Sequence, residues 1–229
     1  MPRRILALSS IIALAAANAS AFGPEDLARI VRWYGQGSLR IELGGKVIWL
    51  DPVKVPVTER ADLILVTHDH GDHWSPADVQ KLSGPSTVVL AGFDGSGFER
   101  IRPGDRKSFG ELSVEAVPAY NIVKTQFHPE AAGYCGFILA AGGVRLYDAG
   151  DTERIPEMKD LRCDVAFLPL GQTYTMGSVA EAAQAALDVK AGIAVPIHFG
   201  LYEGSDADAD EFARLLQGKV RAIRLERRK

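Results

Sequence analysis

The sequence has few cysteines and no excess of positive charge. Cys135 and Cys163 are the only two cysteines among 229 residues, and neither has a neighbour that would make it a nucleophile or a metal ligand. They could form a disulfide in an oxidising compartment or remain two buried thiols. The formal charge of -3 and the pI near 6.0 argue against general nucleic-acid binding, because that requires a basic face.

Long hydrophobic runs are also missing. After Arg3 and Arg4, the apolar run over residues 5–17 is shorter than the roughly 20 residues that span a bilayer. Small residues follow at Ala19-Ser20-Ala21, which is typical of a signal peptide cleaved before Phe22. We therefore expect a signal peptide over 1–21, a single domain over 22–229, a periplasmic or secreted location, and no membrane span after cleavage. The sequence does not predict an oligomeric state.

The remaining sequence contains many short strand-like segments and few helices. Gly44-Gly45 and Gly142-Gly143 each predict a two-residue hairpin turn. Helices are predicted over 75–82, 178–190 and 206–217. Strands are predicted over 30–34, 38–43, 46–50, 62–66, 87–91, 112–117, 134–140, 144–148, 164–168, 193–197 and 220–225. Strands come first and alternate with helices later, which favours two packed sheets with helices outside.

Three of the five histidines lie within six residues, in a cluster formed by His68, His70, Asp72 and His73. The cluster directly follows the apolar run 62–66, so its side chains should lie at the carboxyl end of a buried strand. Imidazole and carboxylate are ligands for zinc and other first-row divalent metals. Four such residues in so short a loop indicate metal binding.

The cluster is similar to the signature of the metallo-β-lactamase superfamily. The segments 147–152, 196–200 and 33–38 extend the resemblance over most of the chain. The last segment resembles the branch that contains L-ascorbate-6-phosphate lactonase and N-acyl-phosphatidylethanolamine phospholipase D. The resemblance implies an αββα sandwich, in which two mixed sheets pack face to face with helices on the outer faces. Gln36 departs from the pattern, because that branch commonly has histidine there.

The resemblance also implies a ligand set for two metal ions. One ion would be held by His68, His70 and a third histidine, the other by Asp72, His73 and His198, with Asp151 shared between them. His128 is the histidine left for the third position, and Asn121 or water is the alternative. Zinc is favoured, and manganese or iron is possible.

The implied activity is hydrolysis of a small-molecule substrate. A metal-bridged hydroxide would attack a small ester, lactone or phosphodiester, and Asp72 would orient the water or accept its proton. Two alternatives are an iron-dependent redox module of the same fold and an exported binding protein with a vestigial site. A β-lactamase is less favoured, because those enzymes usually lack a histidine at the position of His73.

Several other residues flank these motifs without a firm role. Asp51 and Asp62 are interpreted as caps of turns and strand ends. Five side chains could line a pocket or simply pack at its rim. They are Trp74, Tyr120, Gln126, Tyr174 and Tyr202.

Overall fold

Two β-sheets lie face to face in the structure, a computed structural model that describes residues 22–56 and 58–228. The signal peptide predicted over 1–21 lies outside the described residues. Within them, no helix has the length and apolar character needed to cross a membrane. Helices cover the outer faces of both sheets, so the predicted αββα sandwich is confirmed.

The first sheet has six strands in sequence order. Its first three strands are antiparallel, and the next three join in parallel. Gly44 and Gly45 turn the second strand into the third with positive φ angles of 59° and 70°, as a primed hairpin turn requires. The strands are β1 Val31–Gly35, β2 Ser38–Leu43, β3 Lys46–Leu50, β4 Leu63–Val66, β5 Val88–Ala91 and β6 Glu99–Arg100.

The second sheet has seven strands, also in sequence order. Its first four are antiparallel and its last four are parallel, with the fourth belonging to both groups. The strands are β7 Arg106–Phe109, β8 Leu112–Pro118, β9 Cys135–Ala141, β10 Val144–Asp148, β11 Val165–Pro169, β12 Ile193–Ile197 and β13 Arg221–Ala222.

Side chains of β4 alternate between the two faces of the first sheet, and both faces are covered. In β4, Leu63 and Leu65 face the core between the sheets, whereas Ile64 and Val66 face the outer cluster beneath the second helix. This is the two-residue period of a strand buried on both faces. The helices are α1 Pro24–Ile30, α2 Pro76–Leu82, α3 Val179–Asp188 and α4 Asp206–Leu216. Ser75, Ser178 and Ser205 cap the last three through their side chains, as N-cap serines do.

Some sequence predictions differ from the structure. The strand predicted over 30–34 begins at Val31, because residues 24–30 form α1. That helix is too short to show an amphipathic period, and Leu27 is its one buried residue. The last strand, predicted over 220–225, is shorter in the structure, where Arg221 and Ala222 pair with β12. Short strands β6 and β7 were not predicted.

The two cysteines do not pair. Cys135 and Cys163 are buried free thiols, and burial raises the pKa of each thiol to about 12. The thiol is therefore neutral and unreactive at neutral pH.

Candidate metal centre

Loops from both sheets meet at one edge of the sandwich. His68 follows β4, Asp151 follows β10 and His198 follows β12. His128 lies in the connection from β8 to β9. Because parallel strands end at a common edge, residues far apart in sequence come together there.

The structure brings the seven predicted ligands into three overlapping groups. Within each group the nearest ligand atoms all lie within 4.8 Å of one another. In the order given below, the first group is the set that the resemblance implied for one ion. The third group is the set that it implied for the other ion. The groups are His68, His70 and His128; His68, His73 and Asp151; and Asp72, His73 and His198.

Asp151 lies at the centre of the cluster. Its Oδ2 is 3.1 Å from Nε2 of His198 and 3.4 Å from Nε2 of His73. The same oxygen is 3.7 Å from Nε2 of His128 and 3.9 Å from Nε2 of His68. One buried carboxylate oxygen thus faces four imidazole nitrogens, which is the arrangement needed for a ligand shared by two ions.

Two of these nitrogens have no hydrogen-bond partner among the described residues. Nε2 of His68 and Nε2 of His128 are both buried and unpaired. Burial lowers the pKa of His68 well below its usual range, and burial likewise lowers the pKa of His128 to about 4. Both imidazoles are therefore neutral at neutral pH, and neutral imidazole is the form that binds a metal. These residues fit a divalent cation.

The other half of the cluster stabilises positive charge. Burial would lower the pKa of His73, but the negative charges of Asp151 and Asp51 outweigh it and raise that pKa to about 10. Burial is likewise outweighed at His198, whose pKa is raised mainly by the charge of Asp151 and hydrogen bonds to Asp151 and Asp72. Without a metal these histidines hold protons. A metal cation that replaced the protons would be stabilised by the same carboxylates.

Asp51 is a site residue that the sequence interpretation missed. Its Oδ2 lies 2.7 Å from Nδ1 of His73, so the ring can donate to it and turn Nε2 toward the cluster. Thr67 donates to the same carboxylate from its backbone N at 2.7 Å and from Oγ1 at 2.6 Å. In the sequence, the signal for Asp51 was its position directly after the strand at 46–50, because polar residues at strand ends contribute to the site.

Glu203 is a second residue that was missed. Its Oε1 is 3.1 Å from Nδ1 of His198. Its Oε2 accepts hydrogen bonds from the backbone N of Thr173 at 3.0 Å and of Tyr174 at 3.1 Å. The side chain is only 4% exposed, so this carboxylate joins His198 to the loop after β11. No motif spacing in the sequence indicated this contact.

Gln36 contacts two of the predicted ligands. Its Nε2 lies 3.2 Å from Oδ2 of Asp72 and 3.1 Å from Nε2 of His198. The backbone carbonyl of Gln36 accepts from Nε1 of Trp33 at 2.9 Å and from the backbone N of His198 at 3.2 Å. Gln36, Asp51 and His198 all have positive φ, which is uncommon for non-glycine residues.

Gly37 allows the close approach of this segment to the ligands. A Cβ at Gly37 would lie 2.9 Å from the ring of His73 and 3.0 Å from Oδ2 of Asp51. Any larger residue would therefore displace the ion pair between His73 and Asp51.

The structure places His128, the first choice for the third histidine, beside His68 and His70. The alternative, Asn121, lies behind it, with Nδ2 3.3 Å from Nδ1 of His128. The amide of Asn121 also donates to the carbonyls of Lys124 and Tyr174. Asn121 thus supports the loop that carries His128.

A cavity of about 350 Å³ opens beside the ligands. Phe127, Tyr174 and Tyr202 form its apolar wall, and its other lining residues are Gly71 and five of the predicted ligands. Of the flanking residues named from the sequence, Tyr174 and Tyr202 therefore line it. Trp74 instead packs against Phe93 and Phe98, Tyr120 donates to Glu157, and Gln126 is exposed outside the lining.

Comparisons with known proteins agree with this geometry. A family model described as a β-lactamase superfamily domain matches residues 30–198. A UPF0173 metal-dependent hydrolase from Thermococcus kodakarensis is 32% identical over 220 residues, which cover 86% of this chain and 96% of that protein.

Solved structures show the same fold. A crystal structure from Parabacteroides distasonis superposes with a TM-score of 0.76 at 33% identity, covering 86% of this chain and 93% of that one. Igni18, a metallo hydrolase from Ignicoccus hospitalis, gives a TM-score of 0.71 at 21% identity and covers 87% and 95%. The second likeness concerns the fold alone.

The sequence motifs, the layered sheets and these relatives lead to one assignment. The chain belongs to the metallo-β-lactamase superfamily and, within it, to the UPF0173 family of metal-dependent hydrolases.

Proposed function

We propose that the chain is an exported hydrolase that uses two divalent metal ions to cleave a small ester, lactone or phosphodiester. The observation that carries the proposal is the position of Asp151, whose Oδ2 faces Nε2 atoms of four histidines within 3.1–3.9 Å. His68, His70 and His128 would hold one ion. Zinc is favoured by the histidine and carboxylate donors.

Asp72, His73 and His198 would hold the second ion. Bound divalent ions would supply Lewis acidity to the scissile group and lower the pKa of a coordinated water. Nδ1 of His73 and Nδ1 of His198 each face a carboxylate, which makes the opposite nitrogen a better donor to a metal.

Asp72 is the proposed proton acceptor. Its side chain lines the cavity and is partly exposed. Burial would raise its pKa, but the hydrogen bond to His198 and the charge of His73 outweigh this and hold the pKa well below its usual range. The carboxylate is therefore ionised at neutral pH, so it can orient a water molecule by accepting a hydrogen bond from it.

The substitution His70→Ala tests this function. We expect metal-dependent cleavage of esters, lactones or phosphodiesters to fall at least about 100-fold, because the first group loses one of three imidazoles. Asp69→Ala is the matched control, since Asp69 lies in the same loop and its side-chain hydrogen bond among the described residues is with the Tyr134 hydroxyl. Normal cleavage by His70→Ala with native circular dichroism would refute the proposed site.

Export is a separate part of the proposal, supported by the apolar run 5–17 and the small residues at 19–21. The full chain expressed in a Gram-negative host should appear in the periplasm or medium with Phe22 as its amino-terminal residue. Amino-terminal sequencing measures this. An uncleaved chain retained in the cytoplasm would contradict export without affecting the metal site.

A further inference from the structure

Two exposed large hydrophobic side chains, Tyr174 and Tyr202, line the cavity, and the others lie in the same loops or in the loop after β8. In the described part of the chain there are five, and all belong to the three loops that follow β8, β11 and β12. Val123 is 80% exposed and Tyr202 is 60% exposed. Hydrophobic side chains scattered singly need no explanation, but a cluster beside a site indicates binding. The five are Ile122, Val123, Tyr174, Leu201 and Tyr202.

Aromatic rings also line the cavity beside the predicted metal ligands. Phe127 and Tyr174 pack edge to face with ring centroids 4.9 Å apart, which ties the loop after β8 to the loop after β11. Both rings line the cavity together with Tyr202, across from His70 and His198. A ligand that reached the metal centre would therefore have an aromatic wall beside it.

Cationic side chains do not line the cavity in the described part of the chain. Lys124 is the cation of the loop after β8, but its Nζ lies 3.0 Å from the carbonyl of Gln172 and 3.2 Å from that of Met176. Asp72 and Asp151 add negative charge to the lining. Lys54 lies just outside the lining, with Nζ 3.4 Å from the hydroxyl of Tyr202. A substrate with fixed negative charge would therefore meet no lysine or arginine of the lining itself, and the bound metal ions would be the cations that offset its charge.

We infer that the substrate is an uncharged carboxylic ester or lactone with an apolar group, and that this group lies against Phe127, Tyr174 and Tyr202. The inference rests on the proposed hydrolytic function and narrows its substrate class. In the reaction, the oxygen of water adds to the carbonyl carbon and the bond from that carbon to the alkoxy oxygen breaks. The alkoxy oxygen takes a proton, which gives an alcohol and a carboxylic acid. The cavity volume is at the lower end of the range for small-molecule sites.

A chain-length series on the metal-loaded protein tests the inference. The probes are p-nitrophenyl acetate, p-nitrophenyl hexanoate and the anionic diester bis(p-nitrophenyl) phosphate. We expect kcat/KM for the hexanoate to exceed that for the acetate by about tenfold or more, since each buried methylene contributes roughly 0.8 kcal/mol, or about fourfold. We expect the phosphate diester to be the poorest of the three substrates.

Two substitutions in the aromatic wall test whether it causes the preference for the hexanoate. Tyr202→Ala and Phe127→Ala should each lower the hexanoate-to-acetate ratio by about fivefold, whereas Tyr202→Phe should keep the ratio because the ring remains. Arg214→Ala on the exposed face of α4 is the control outside the site, where the side chain pairs with Glu211. Hexyl alcohol should also inhibit acetate cleavage more strongly than ethanol, which reports binding without turnover of the alcohol.

The outcomes separate this inference from the proposed function. If none of the three probes is cleaved, the proposed hydrolysis of esters and phosphodiesters fails. If cleavage occurs but the acetate or the phosphate diester is preferred, the apolar substrate class is wrong and the hydrolase stands. A hexanoate preference unchanged in both alanine variants would place the apolar group elsewhere and overturn the assigned wall.

Discussion

Buried carboxylates orient two of the histidines through their Nδ1 atoms. Asp51 faces Nδ1 of His73, and Glu203 faces Nδ1 of His198. In both cases Nε2 is left to point at Asp151. Such partners fix the orientation of an imidazole and raise its basicity, and their loss commonly costs 10–100-fold in metal affinity.

Glu203→Gln should weaken binding of zinc to the site by about 10–100-fold, because the amide is a poorer partner for Nδ1 of His198 than the carboxylate. Competition with a coloured chelator measures the affinity. Glu211→Gln is the matched control, since Glu211 is exposed on α4 and pairs only with Arg214. Equal zinc affinity in both variants would remove Glu203 from the site.

Asp148 is a buried carboxyl group that has no side-chain hydrogen-bond partner among the described residues. Burial raises its pKa well above the ordinary value, and the charge of Asp51 raises it further. The folded protein therefore holds this proton more tightly than the unfolded chain. Its contribution to stability is complete below the ordinary pKa of 3.8 and declines as the pH rises.

Asp148→Asn removes this titration. As the pH rises from about 4 to 8, the free energy of unfolding should fall in the wild type relative to that of the variant, which lacks this titration. Urea unfolding at several pH values measures the difference. A constant difference over that range would show that Asp148 does not carry a raised pKa.

At the scale of elements, one buried carboxylate holds three consecutive backbone N–H groups of the loop between β8 and β9. Oε2 of Glu153 accepts from the backbone N of Ile122 at 2.8 Å and of Val123 at 2.7 Å. Its Oε1 accepts from the backbone N of Lys124 at 3.1 Å. Glu153 is nearly fully buried and lies two residues after Asp151, so it joins the loop of His128 to the segment of the central ligand.

Glu153→Gln should loosen this loop, because the NH2 group of the amide cannot accept a hydrogen bond. At least one of the three backbone N–H groups would therefore lose its acceptor. We expect faster hydrogen exchange over residues 121–128 and about tenfold weaker zinc binding, with the two sheets unchanged. Glu130→Gln provides the control, since Glu130 is exposed just beyond His128. Protection of 121–128 equal to that of the wild type would contradict this role.

Local patterns predicted the hairpins and buried strands well. Glycine pairs fixed two turns, and the apolar run at 62–66 marked β4. Strands β6 and β7 were missed because they are short and consist mainly of charged residues, and α1 was missed because Leu27 is its one buried residue. Asp51 and Glu203 were missed for another reason. Their roles arise only when the sheets pack, and neither lies within a ligand motif.

At the scale of the whole molecule, the sandwich brings ligands 130 residues apart to one edge. His68 follows a parallel strand of the first sheet, and His198 follows a parallel strand of the second. The core between the sheets is continuous and apolar, so it fixes the relative position of the two ligand sets. The proposed two-ion site therefore depends on sheet packing, and Asp151 faces histidines that follow strands of both sheets.

The metal content of the purified chain tests this account most directly. Elemental mass spectrometry of protein loaded with zinc and then dialysed should give about two ions per chain, because each set of imidazoles and Asp151 provides one site. The loss of both ions from Asp151→Ala would agree with its shared position. One ion or none in the wild type under these conditions would contradict the two-ion centre.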